Sequence, residues 1–139
     1  MSATENKALI QRFFDNVLNQ GSLAALDDLC APGFILEAPG IPTKQGQSQG
    51  LPSLKEWLTS YRTAFPDIRY AIVNTVAEDT MIAVDFTAKG TQRGAFAGIA
   101  PTGKLIAASE LCFTYVSGGK IQRMRFCPYG TPIAQQLKS

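Results

Sequence analysis

Apolar residues recur at helical spacing near the start of the chain. Leu9, Ile10, Phe13, Phe14, Val17 and Leu18 fall on one face, and Ser2 with Glu5 has the form of a capping box ahead of them. The pattern predicts an amphipathic helix ending at Gly21. Ser22 is placed to cap a short second helix carrying Leu23, Leu26 and Leu29, which Pro32-Gly33 stops. Alternation then takes over. Phe34, Leu36 and Ala38 lie on one side of a short strand, Ile35 and Glu37 on the other. Ser53 and Glu56 introduce a third helical stripe, Leu54, Trp57, Leu58, Tyr61 and Phe65, ended by Pro66.

The rest of the chain mostly alternates with period two. Ile68 to Val76 and Thr80 to Ala88 read as a hairpin turning at Ala77-Glu78-Asp79, and Leu105 to Tyr129 as a second one turning at Ser117-Gly118-Gly119. Each hairpin carries an acid in mid-strand. Asp85 shares a face with Met81, Ala83 and Thr87, opposite Ile82, Val84, Phe86 and Ala88. Glu110 shares a face with Ile106, Ala108, Cys112 and Thr114, opposite Leu105, Ala107, Ser109, Leu111, Phe113 and Tyr115. Helices gathered early and strands late predict an α+β fold, with about three helices against one face of a curved antiparallel sheet. The smaller-residue faces are the expected lining of its concave side, which would bring Asp85 and Glu110 together. Between the first strand and the third helix, Pro39 to Pro52 is polar and rich in Gly and Pro, and is expected to be a lid or mobile loop.

Composition narrows the classes. A chain of 139 residues, 45% hydrophobic and 17% charged, suits one domain over residues 1–139. Net charge is +2 with no run of Lys or Arg, so neither nucleic acid nor a membrane surface is an expected partner. No apolar run approaches a membrane span and the N-terminus has no signal-peptide pattern, so the expected location is the cytoplasm. Cys30, Cys112 and Cys127 are odd in number and lack CxxC spacing, as reduced thiols would. Histidine is absent altogether. That removes Ser-His, Cys-His and zinc-His chemistry and leaves acid/base work to Asp, Glu, Tyr, Lys or Cys. It also disposes of Gly46-Gln47-Ser48-Gln49-Gly50, formally a nucleophile elbow, which has no base to activate its serine.

Four stretches in order, Ala64-Phe65-Pro66-Asp67-Ile68-Arg69, Gly90 to Lys104, Gly119-Lys120-Ile121 and Gln135-Gln136-Leu137, resemble successive signatures of the SnoaL-like polyketide cyclases, within the nuclear-transport-factor-2-like superfamily. The resemblance implies a cone-shaped α+β fold with a deep pocket, a homodimer formed through the sheet, no cofactor and no metal. It further implies a small, largely apolar or polyketide-like ligand and ring closure by an intramolecular aldol reaction with an aspartate as acid/base. Residue by residue, the family's pocket histidine falls on Gln92, a first-strand histidine on Glu37, a tryptophan on Arg125 and the catalytic acid on Tyr129.

The candidate catalytic residues are therefore Glu110, Asp85, Tyr129 and Arg125. Glu37, Gln92, Trp57, Tyr61 and Cys127 are candidate substrate contacts, although the helical stripe reads Trp57 and Tyr61 first as core. Two carboxylates and one arginine can be split into an acid and a base for cyclisation, epoxide opening or isomerisation. The same set reads alternatively as an ion pair of Arg125 with Glu110 or Asp85 that merely satisfies the interior. Function then divides between an acid/base enzyme and a non-catalytic small-molecule binder or scaffold that has lost the family's acid, with a structural dimer around a filled pocket as a third reading.

Overall fold

The computed structural model describes residues 2–39 and 47–139. The first helix, α1 (Ala3–Arg12), starts on the expected capping box: Glu5 N–H donates to Ser2 Oγ at 3.1 Å and Ser2 N–H to Glu5 Oε1 at 3.2 Å. It runs on into a π-helical stretch, Phe13–Asn19, and the two bury the six apolar residues of the predicted stripe. Ser22 caps α2 (Leu23–Leu29) through the Ala25 N–H. The helix α3 (Leu51–Ala64) begins ahead of the expected Ser53 cap. Gly50, with φ 94, precedes it, and Pro52 occupies its first turn, where a missing N–H has no intrahelical acceptor to lose. A short last helix, α4 (Ile133–Lys138), closes the chain.

Among the described residues six strands form one sheet: β1 (Cys30–Glu37), β2 (Gln47–Gln49), β3 (Arg69–Glu78), β4 (Met81–Thr91), β5 (Leu105–Ser117) and β6 (Lys120–Tyr129). Their order is β2-β1-β6-β5-β4-β3, antiparallel throughout except for β1 beside β6. The first strand starts at Cys30 rather than Phe34. Its pairing with β6 shifts register between Cys30 and Ile35, so Pro32 and Gly33 sit in an irregularity of the strand rather than ending α2, which stops at Leu29. Of the expected lid, residues 47–49 form β2 and Leu51 onward belongs to α3; residues 40–46, and with them the lid reading itself, lie outside the described residues.

The helices cover one face of this curved sheet. Leu36, Ile82, Val84, Phe86, Cys112, Met124 and Phe126 point inward and pack with Leu9, Phe13, Phe14, Leu54 and Leu58, with Phe14 and Phe86 edge to face at 5.1 Å. A second apolar cluster, Ala64, Phe65, Ile68, Ala88, Ile106, Ala108 and Leu137, fills the end of the sheet where α4 lies. Among the described residues no helix covers the other face. Among the described residues no helix is long and apolar enough to cross a membrane.

Candidate functional site

The signature stretches turn out to touch one another. Asp67, just beyond α3, accepts from the Thr91 N–H at 2.7 Å and the Thr91 hydroxyl at 2.8 Å, and these bonds hold its carboxyl below the usual range. The N–H groups of Arg93 and Gly94 donate back to the carbonyl of Ala64. A Cβ at Gly94 would lie 2.6 Å from the Thr63 carbonyl oxygen, so only glycine allows this approach. The end of β4 is thereby locked to the end of α3.

Gln92 is the hub of the loop that follows. It is fully buried, donates to the carbonyls of Gly94 and Ile99 at 3.1 and 3.0 Å, and accepts from the Thr102 N–H at 2.9 Å and the Thr102 hydroxyl at 2.6 Å. All four hydrogen-bonding capacities of the amide are taken up by its own loop. Phe96 and Ile99 exchange backbone hydrogen bonds across Ala97 and Gly98, whose φ values of 49 and 77 make a type I′ turn. That turn swings Phe96 against Tyr61 and Phe65, with ring centroids at 5.5 and 5.3 Å. On the opposite wall, Gln136 of α4 accepts from the Ala107 N–H and donates to the carbonyls of Ala107 and Thr131. Its side-chain amide takes the place of a neighbouring strand where β5 extends past the end of β6.

Between these parts lies a pocket of about 260 Å³. Tyr61 of α3, Phe96 of the loop, Ala108 and Glu110 of β5, Pro128 and Tyr129 of β6 and Pro132 to Ala134 at the head of α4 line it. Among the described residues Glu110 is the one charged residue in this lining. Burial alone pushes its carboxyl up to about 7, with no hydrogen bond or positive neighbour to pull it back. Tyr61 is pushed up to about 12, first by burial and then by the charge of Glu110. The same two causes raise Tyr70, where the charge of Tyr61 also contributes. Glu110 thus sets the electrostatics of the cavity.

The other candidates do not join it. Asp85 pairs with Leu111 of β5, which in turn pairs with Cys127, whereas Glu110 pairs with Phe86 and Pro128. Paired residues share a face, so Asp85 is on the open outer face and Glu110 on the inner one. The expectation that smaller faces line the concave side holds for β5 and fails for β4, whose bulky face supplies the core. Arg125 pairs with Phe113 and Glu37, also outward, and the expected ion pair of Arg125 with Glu110 or Asp85 is not formed. Instead Arg123 bonds to Glu37, and Asp85 accepts from the Tyr129 hydroxyl and the Asn74 amide. Tyr129 borders the pocket, yet it is 48% exposed with its hydroxyl engaged on the outer face. Cys127, Glu37 and Arg125 edge a separate shallow hollow.

Of the expected substrate contacts, Tyr61 lines the pocket, while Trp57 packs at 4.9 Å on Tyr61 and 5.2 Å on Phe126 as part of the core. Gln92 faces its own loop. Sequence reasoning placed Ala108 on the lining face and missed Phe96 and Ile133. The Gly-Pro punctuation around Phe96 marked a turn but not the direction of its ring. Among the described residues no group of three or more Cys, Asp or Glu side chains is arranged to hold a metal ion.

Comparison with known proteins agrees with this architecture. The family model described as SnoaL-like polyketide cyclase matches residues 8–137. A candidate polyketide cyclase from Acidithiobacillus ferrooxidans is 25% identical, with 99% of this chain and 98% of that one covered at a TM-score of 0.84. A SnoaL-like polyketide cyclase from Agrobacterium tumefaciens is 20% identical over 99% of both chains, with a TM-score of 0.76. TsrD from Streptomyces laurentii is 16% identical over 99% of this chain and 97% of its own, with a TM-score of 0.83. A search of curated protein sequences gives no match. With nearly its whole length matched by the family model and its fold shared with these structures, the chain belongs to the SnoaL-like polyketide cyclase family.

Proposed function

We propose that the chain is a cofactor-independent enzyme that uses Glu110 as acid and base on a polyketide-like or other natural-product intermediate. One observation carries this reading: a lone carboxyl in an apolar pocket, without a partner among the described residues, whose pKa stands at about 7. Near neutral pH such a group is present in both forms, so it can take a proton and give it back. With Asp85 on the outer face, one carboxyl must do both jobs. Ionised Glu110 removes a proton from a carbon next to a carbonyl, and the electron pair moves onto the carbonyl oxygen. The Tyr61 hydroxyl, still protonated with its pKa near 12, donates a hydrogen bond to that oxygen. Protonated Glu110 then returns the proton, to carbon in an isomerisation or to the alkoxide formed when the enolate closes a ring on a second carbonyl.

The test is exchange of the α-protons of a bicyclic ketone such as 2-tetralone in heavy water, followed by NMR. The wild-type protein should accelerate exchange, and Glu110→Gln should lower that acceleration by roughly 100-fold or more while leaving the fold intact. A second reading, a small-molecule carrier without chemistry, draws on the two positions aligned with the family's histidine and acid. Gln92 is consumed by its own loop and Tyr129 is tied to Asp85. Wild-type protein that binds the ketone without accelerating exchange would establish the carrier instead.

A further inference from the structure

The pocket's size and charge together narrow what can occupy it. An engineered cavity of about 150 Å³ holds one benzene ring. A volume of about 260 Å³ therefore has room for roughly two fused rings, below the range of about 300–1,000 Å³ that drug-sized ligands fill. Its walls suit flat rings: Tyr61 and Phe96 stand edge to face at 5.5 Å on one side, and Pro128 and Pro132 contribute apolar surface on another. Among the described residues the lining contains no Lys or Arg, so a ligand anion finds no counter-charge there, and Glu110 would repel it at close range. The polar side chains at its wall include the Glu110 carboxyl and the Tyr61 hydroxyl, with Ser109, Tyr129 and Thr131 also in the lining, and they match an oxygen function on the ligand.

We infer that this pocket selects an uncharged, planar ligand of about two fused rings bearing an oxygen function, and that Glu110 excludes carboxylates of the same shape. This rests on the pocket being the site proposed above, and it concerns binding rather than turnover. Exclusion of the anion comes from the one negative charge in the cavity, whereas exclusion of larger ring systems comes from the loop and α4 walls, so the two can be separated by mutation.

Three probes decide it by calorimetric titration at pH 8: 2-naphthalenemethanol, 2-naphthoate and 1-pyrenemethanol. The naphthalene alcohol should bind, the naphthoate about tenfold or more weaker, and the pyrene alcohol not measurably. In Glu110→Gln the gap between the two naphthalene probes should shrink to about threefold or less, and Glu110→Leu, which removes the charge without leaving an amide to satisfy, should do the same. Both variants are first checked for wild-type circular dichroism. Naphthoate binding as tightly as the alcohol to wild type, an unchanged gap in both variants, tight pyrene binding, or no binding of any probe would each overturn the inference. Selective binding combined with failed proton exchange would instead leave the inference standing and remove the acid/base reading.

Discussion

Glu110 carries a signed pH dependence. Its folded pKa of about 7 lies above the ordinary value of 4.5, so between those values the folded protein holds a proton that the unfolded chain has released. Stability from this group is full below about pH 4.5 and is lost as pH rises through about 7, a loss on the order of 3 kcal/mol. Glu110→Gln should therefore melt several degrees higher than wild type at pH 8, the gap closing toward pH 4.5; calorimetric scans at both pH values check it. The exchange rate should move the other way, rising with pH through about 7, because proton removal needs the ionised form. At Gln92, replacement by Ala would leave the Gly94 and Ile99 carbonyls and the Thr102 donors without their partner, and should lower stability by roughly 3 kcal/mol in urea titration. The inward direction of Glu110 was legible because its own strand alternates cleanly. The outward direction of Asp85 was not: it depends on cross-strand register, and a slip of one residue exchanges every side chain between faces.

At the scale of elements, the helices with strong stripes and the two hairpins could be read directly. Less legible were the elements whose limits are set by neighbours. The irregular start of β1 is settled by pairing with β6, and α4 is only six residues, too short to show a period. Yet α4 forms a wall of the pocket, and Gln136 is its anchor. Gln136→Ala should cost about 2 kcal/mol and speed amide exchange at Ala107, read by hydrogen-exchange mass spectrometry. The Phe96–Ile99 turn holds Ala97 at a φ of 49, a region alanine occupies at a penalty of about 1–2 kcal/mol. Ala97→Gly should remove that penalty while adding chain entropy to the unfolded state, for a net gain of about 0.5 kcal/mol in urea titration.

Seen as a whole, the molecule has one finished face and one unfinished one. The outer side of the sheet exposes Val76 (67%), Leu105 (78%) and Leu111 (39%) around the Glu37–Arg123 and Asp85–Tyr129 pairs. Pairing with a second copy across this face is the expected state, and light scattering at micromolar concentration should return the mass of two chains; the mass of one would remove the proposal. The sheet's borders are completed in a different way. Asn19 exchanges hydrogen bonds with both backbone groups of Tyr70 on the border strand β3, at 3.0 and 2.7 Å, as Gln136 does with Ala107 on β5. Each of these primary amides can hydrolyse as the protein ages. The product is a carboxylate, which accepts but cannot donate, so the Tyr70 or Ala107 carbonyl would lose its partner and a negative charge would face it. A stored sample would then acquire open strand borders, the places where one sheet joins another, and would begin to aggregate while its core was still folded.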